Sequence, residues 1–225
     1  MKIIGYGEDA LTLKVLFEKV DCILEGCQDS TRIGDDNCIV FYRPSFGRGG
    51  KDRAGFGEFD FIIATPKAVY LGETKNHYNK NKHVQLSEAQ IRRHCVFNEY
   101  YKVWCKTQKN QESTTFIDLC NKDEDFVKFK PEIKMPNAQS RLAINIINIF
   151  KAISRITKSS NVVNILLLVN SSDHKIENIS ISKVDFKRIE MDVNYSKECI
   201  GNDFLYINSC ETYKNHILER IYDNM

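Results

Sequence analysis

The stretch that most restricts how this chain folds is Val162-Val163-Asn164-Ile165-Leu166-Leu167-Leu168-Val169. A nearly continuous apolar run with β-branched residues at both ends is what a strand buried on both faces needs, and such strands sit in sheets covered by helices on each side. An isolated polar position, Asn164, interrupts it. The stretches around it read as helices. Apolar residues at Leu11, Leu13, Val15, Leu16, Val20, Ile23 and Leu24 predict an amphipathic helix over 8–25, with acidic residues at the end the helix dipole favours. Two more helices are predicted over 86–104 and 139–156, the second apolar around much of its circumference and so deeply packed. The fold class is therefore α/β.

The strongest hairpin signal lies between the first and second of these helices. Two strand-like runs, 58–65 and 68–75, meet at Thr65-Pro66-Lys67, where proline presets φ for a tight turn. A short strand over 37–42 precedes them, followed by the glycine-rich basic loop at 43–53. Period-two alternation places Glu58, Asp60 and Ile62 on one face of the first run and Val69, Leu71, Glu73 and Lys75 on one face of the second. With Thr65-Pro66 as the turn residues Asp60 falls opposite Leu71; with Pro66-Lys67 it falls opposite Glu73. Both registers gather the acids on one face, and a three-residue turn with a bulge would alter the pairing.

Length and composition bound the rest. At 225 residues, 42% hydrophobic and 28% charged, the chain is expected to form one globular domain spanning 1–225 rather than a disordered or membrane protein. The opening residues carry too short an apolar run for a signal peptide and no segment approaches a membrane span, which predicts a cytoplasmic protein without membrane contact. The eight cysteines form no CxxC pair and read as small buried apolar residues rather than disulfide or zinc positions. A net charge of +2 provides no global basic field, so any nucleic-acid contact has to come from local clusters. Between the second and third helices lies a polar insertion over 106–137. After Val169 come an alternating run over 176–181 and a helix over 211–221.

Two or three carboxylates and an ammonium at strand ends are costly to assemble unless a divalent cation neutralises the acids. Magnesium, or manganese in its place, accepts such hard ligands while keeping waters and room for a phosphate oxygen. That chemistry suits phosphodiester hydrolysis.

The string Gly57-Glu58-Phe59-Asp60, a short hairpin, and then Glu73-Thr74-Lys75 resembles the D-x(n)-(D/E)-x-K signature of PD-(D/E)XK nucleases, and within them the G-E-x-D…V-E-x-K pattern of Holliday-junction-resolvase-like proteins. Gly7-Glu8-Asp9-Ala10 at the start of the first helix is similar as well. The resemblance implies a restriction-endonuclease-like αβββαβ core over about 8–169, a mixed central sheet flanked by helices, with a C-terminal elaboration over 170–225. It implies metal binding by Asp60 and Glu73, with the Thr74 carbonyl contributing, a catalytic Lys75, an accessory Glu8, and Gln90 near the scissile phosphate. Arg43, Arg48, Lys51 and Arg53 before the motif, Lys80 and Lys82 after it, and Arg92 and Arg93 on the next helix are the expected DNA contacts. The chain departs from the family pattern in having no proline before Asp60, glycine at Gly72 in place of a β-branched residue, and two long helices where the core has one.

Other motifs are weaker. Gly50-Lys51 is followed by Asp52 and lacks P-loop spacing, His77 and His83 have no matching zinc-ligand set, and Tyr100, Tyr101 and Trp104 sit at core-like helical spacing. The function expected from the resemblance is a magnesium-dependent DNA endonuclease, restriction-like or otherwise of prokaryotic defence, acting as a homodimer. The alternatives are a repair or junction-resolving nuclease, a non-catalytic nucleic-acid-binding module of the same fold, and an assembly subunit.

Overall fold

The computed structural model describes residues 2–34, 36–44, 57–76, 86–107, 113–124, 136–169, 184–191 and 204–208. In chain order they form β1 (Lys2–Tyr6), α1 (Gly7–Glu18), α2 (Val20–Gly26), β2 (Ile39–Tyr42), β3 (Phe61–Ala64), β4 (Val69–Asn76), α3 (Glu88–Lys106), α4 (Ser113–Lys122), α5 (Arg141–Ile156), β5 (Val162–Val169), β6 (Phe186–Met191) and β7 (Phe204–Asn208). A five-stranded sheet runs β2-β3-β4-β5-β6. Its first three strands are antiparallel and its last three parallel, so the sheet is mixed.

The apolar run at 162–169 becomes β5, paired on both sides and buried from Asn164 to Val169. Its side chains alternate between two layers. Ile165, Leu167 and Val169 pack with α1 and α2, while Leu166 and Leu168 meet Leu86 and the part-buried Ile91 and Phe186. A parallel β4–β5 pair needs a crossover, and α3, α4 and α5 supply it on the face where Ile62, Ala64, Val69 and Leu71 lie. The sheet is thus flanked by helices on both faces, a mixed α/β architecture.

Several boundaries differ from the periodicity. The single helix expected over 8–25 bends at Lys19, whose φ of −139° leaves the helical region, and becomes α1 and α2. The Lys19 N–H still bonds Val15 O at 2.8 Å, so the apolar stripe continues across the bend and buries Val15, Val20, Ile23 and Leu24 together. The insertion over 106–137 contains α4, whose Phe116, Ile117 and Cys120 are buried against the α3 and α5 core. Three strands were absent from the sequence reading. β1 pairs antiparallel with β7 in a separate two-stranded sheet, from Lys2 opposite Asn208 to Tyr6 opposite Phe204, and β6 closes one edge of the main sheet. The alternating run at 176–181 and the helix at 211–221 lie outside the described residues.

Tyr100, Tyr101 and Trp104 are buried among Phe97, Phe116 and Phe150, with the Trp104 Nε1–H donating to Ser154 Oγ at 2.8 Å. Of the described cysteines none is in a disulfide; Cys27 and Cys120 are buried as expected, whereas Cys38, Cys95 and Cys105 are half-buried and Cys22 is exposed. Among the described residues no helix is long and apolar enough to cross a membrane.

The β3–β4 turn settles the register. Thr65 N–H bonds Ala68 O at 3.0 Å and Ala64 faces Val69, so Pro66 and Lys67 are the turn residues. A buried carboxylate anchors this turn to the end of α2. Asp29 Oδ2 accepts from the Thr65 hydroxyl at 2.7 Å and the Tyr70 hydroxyl at 2.8 Å, and Oδ1 accepts from the Thr31 N–H and hydroxyl. Burial alone would raise its pKa, but the bonds from Thr65, Thr31 and Tyr70 outweigh that and hold it below the ordinary 3.8. A depressed folded-state value stabilises the fold above the unfolded value and loses that stability as pH falls through the folded one. Asp29→Ala removes the acceptor of the buried Tyr70 hydroxyl and leaves the Thr65 hydroxyl only a long 3.4 Å bond to Ala68 O, and is expected to cost about 3 kcal/mol at neutral pH. Urea melts at pH 7 and below pH 3 check this, and the gap between variant and wild type should shrink in acid.

Candidate active site

The hairpin register runs to the Phe61–Gly72 pair, and Asp60 and Glu73 are the next residues on the two strands. The backbone of Asp60 is bonded on both sides: its N–H donates to Gly72 O at 3.1 Å and its carbonyl accepts from Arg43 N–H at 3.0 Å. Its side-chain Oδ2 accepts from the Thr74 N–H at 2.7 Å. Asp60 thus lies just before the regular pairing of β3, which begins at Phe61, three residues later than the run expected from 58. Burial, and next the charge of Glu73, push the Asp60 carboxyl up from 3.8 to about 6, against the pull of the Thr74 N–H and Lys75.

Glu73 is fully buried, and α3 supplies its partners. Gln90, Arg93 and His94 are one helical face at spacings of three and four residues, and all three reach the same carboxylate. Gln90 Nε2–H donates to Oε2 at 2.7 Å, while His94 Nε2 lies 3.3 Å and Arg93 Nη1 3.4 Å from Oε1. The orientation of the Gln90 amide follows from helix capping. Ser87 caps α3, and its N–H donates to Gln90 Oε1 at 3.0 Å, which turns the Gln90 nitrogen towards Glu73. The Arg93 guanidinium lies against Gly57, whose φ of +77° and lack of a side chain let it approach; a Cβ there would sit 3.3 Å from Arg93 Cζ.

Lys75 continues β4 beyond Glu73 and meets a residue from the opposite end of the core. Its Nζ is 3.4 Å from Glu8 at the start of α1, and Glu8 Oε1 also accepts from the Asn76 N–H at 3.2 Å. Tertiary folding thus assembles Glu8, Asp60, Glu73, Lys75 and Gln90 into one neighbourhood. The Thr74 hydroxyl beside them is buried and has no hydrogen-bond partner among the described residues.

The expected DNA-contacting residues divide. Arg43 stands at this neighbourhood's rim, paired with Asp9 and with Glu58 at 2.9 Å, and Arg92 is exposed on α3. Arg93 instead turns inward onto Glu73, with its side chain only 15% exposed. Arg48, Lys51, Arg53, Lys80 and Lys82, and the histidines at 77 and 83, lie outside the described residues. Sequence reasoning passed over His94 and Asn164. The available signals were a histidine four residues after Gln90 on the same helix face, and the one polar residue inside the run at 162–169.

Among the described residues no three His, Cys, Asp or Glu side chains converge as a metal cage. Magnesium does not require one, since one or two carboxylates suffice when waters and substrate oxygens complete the shell. Asp60 and Glu73 fit that pattern, because burial and the charge of Glu73 both disfavour the ionised Asp60 carboxylate, a cost that a hard divalent ion relieves. No family model, curated protein or solved structure matches the chain.

Proposed function

We propose that the chain is a magnesium-dependent DNA endonuclease of the PD-(D/E)XK type. The observation that carries this reading is geometric: at the end of the hairpin the Thr74 N–H, between Glu73 and Lys75, donates to Asp60 Oδ2 at 2.7 Å, and Lys75 Nζ lies 3.4 Å from Glu8. The order of elements over 8–169 supports it too: two helices, three antiparallel strands, three helices, then a strand parallel to β4, which contains the αβββαβ order with helices added.

Asp60 and Glu73, with the Thr74 carbonyl, would hold the ion, which supplies phosphate polarisation and a water of lowered pKa. Lys75 then orients the attacking water or neutralises negative charge developing on the phosphate. Glu8 holds the Lys75 ammonium at the strand end, and Gln90 fixes one oxygen of Glu73. Exposed Arg92 and the rim position of Arg43 offer phosphate contacts on the flanks. Cutting both strands calls for two such sites, hence a homodimer in a cytoplasmic, restriction-like or other defence role.

The test is incubation of supercoiled plasmid and phage DNA with the purified protein in magnesium, manganese or excess chelator. Nicked and linear products with either metal and none with chelator are expected. Discrete bands would mark sequence-specific restriction. Intact DNA under every condition rejects the nuclease reading.

A further inference from the structure

His94 is fully buried, yet it is neither an unpartnered histidine nor simply a core filler. Four separately contributed groups determine how its ring sits. Phe59, just before Asp60, packs edge-on at 5.0 Å between centroids, and Phe186 of β6 closes the other side at 4.6 Å. Asn164 Oδ1 lies 2.8 Å from Nδ1, and the remaining nitrogen, Nε2, is turned to Glu73. Asn164 is itself oriented, because its Nδ2–H donates to Asp185 O at 3.3 Å and leaves Oδ1 facing the ring. Nδ1 therefore faces the Asn164 oxygen, and Nε2 faces Glu73 Oε1 at 3.3 Å.

This explains why a polar residue interrupts the most apolar strand of the protein. A buried amide without partners is costly, and a valine or leucine at 164 would continue the run without that risk. Asn164 instead connects the β5–β6 end of the sheet to the Glu73 carboxylate through one rigid ring. Gln90 and His94 then hold the two oxygens of Glu73 separately, which restricts rotation of the carboxylate about its last bond.

We propose that His94, held by Asn164, is a positioning residue for Glu73, and that this buried pair sets how well Asp60 and Glu73 capture a divalent cation. The inference rests on the metal-dependent reading given above. Partners of a ligating carboxylate commonly matter this much, since they fix its orientation before the ion arrives.

Manganese is a suitable probe, with its affinity for the purified full chain measured by calorimetry in the absence of DNA. Glutamine carries its nitrogen where the imidazole has Nε2, whereas asparagine carries it where the imidazole has Nδ1. His94→Asn is expected to weaken manganese binding by about 10–100-fold, and His94→Gln to restore it towards wild type. Asn164→Ala, which frees the ring, should weaken it in the same direction. A purely structural histidine predicts no such ordering among variants of matched thermal stability. A folded His94→Asn that binds manganese as tightly as wild type, or a His94→Gln as weak as His94→Asn, overturns the inference. If His94→Asn does not fold, Asn164→Ala decides: weakened binding supports the proposal and unchanged binding overturns it. Wild type that binds no manganese rejects both this inference and the nuclease reading, while wild type that binds, with unaffected variants, rejects this inference alone.

Discussion

Asp60→Asn is expected to abolish metal-dependent DNA cleavage while making the metal-free protein more stable. Both effects follow from the same electrostatics. The unfolded chain releases the Asp60 proton near 3.8 and the folded chain near 6, so the folded state binds more protons between those values. Stability therefore falls as pH rises through that window and stays lowered above it. A shift of this size corresponds to about 3 kcal/mol, and because Asp60 is partly exposed we expect about 1–3 kcal/mol to be recovered at pH 7.5 by asparagine. The asparagine oxygen can still accept the Thr74 N–H, and its amide no longer repels Glu73. At roughly 2–4 °C per kcal/mol for a domain of this size, the melting temperature rises measurably.

On the proposed nuclease reading, the same substitution removes one of the two charged ligands, and with it the reaction. Lys75→Ala should separate binding from chemistry. It leaves both carboxylates in place and is expected to preserve manganese affinity while slowing plasmid cleavage by about 10²–10³-fold. Calorimetry without DNA and single-turnover cleavage with saturating metal measure the two halves. An Asp60→Asn protein that melts at a lower temperature than wild type would contradict the coupled-carboxylate account, even if cleavage were lost.

Gly72→Ala is expected to be the most damaging small substitution in the sheet. Phe61 lies opposite Gly72, and its ring covers the glycine so closely that a Cβ would sit 2.0 Å from Phe61 Cζ. Real side chains do not approach to that distance, and Phe61 is fully buried against the α1 and α2 layer. The lower backbone entropy of alanine favours the variant by only about 0.5–1 kcal/mol. Overpacking a tight core costs about 1–3 kcal/mol or more, and the ring has little room to move, so we expect a net loss of about 3 kcal/mol or roughly 6–12 °C. Adding Phe61→Leu, which removes the ring, should recover part of the loss, so that the two substitutions are strongly non-additive. Thermal melts of the two single variants and the double variant test this; additive losses would mean that the ring is not what requires glycine. The absence of a β-branched residue at 72 thus has a packing cause on the face opposite the core of α3.

How much was legible in the sequence depended on how local the determining interactions are. The β3–β4 turn is an example: proline and alternation narrowed the pairing to two registers, both placing the acids on one face. The Thr65–Ala68 hydrogen bond, supported by Asp29 from 36 residues earlier in the chain, selects one of them. The bend at Lys19 was not visible, because the apolar period continues through it. α4 was hidden in a polar insertion, since three buried residues among solvated neighbours give a short helix little periodic signal.

The sequence alone determined the elements whose cause is periodicity or turn chemistry: the buried strand β5, the hairpin, and the helices α3 and α5. It also placed Asp60, Glu73 and Lys75 near one another, because strand alternation and a two-residue turn act over fewer than twenty residues. Only the tertiary structure decided that Glu8 meets Lys75, that Gln90 and His94 grip Glu73, that Arg93 turns inward, and that Asn164 orients His94. It also paired β1 with β7 across almost the whole chain. These contacts join segments up to 206 residues apart in the register of that pair, Lys2 to Asn208, and neither end carries a mark of the other. Their energies exist only once packing has excluded water and brought the polar groups within reach, so no local pattern could announce them.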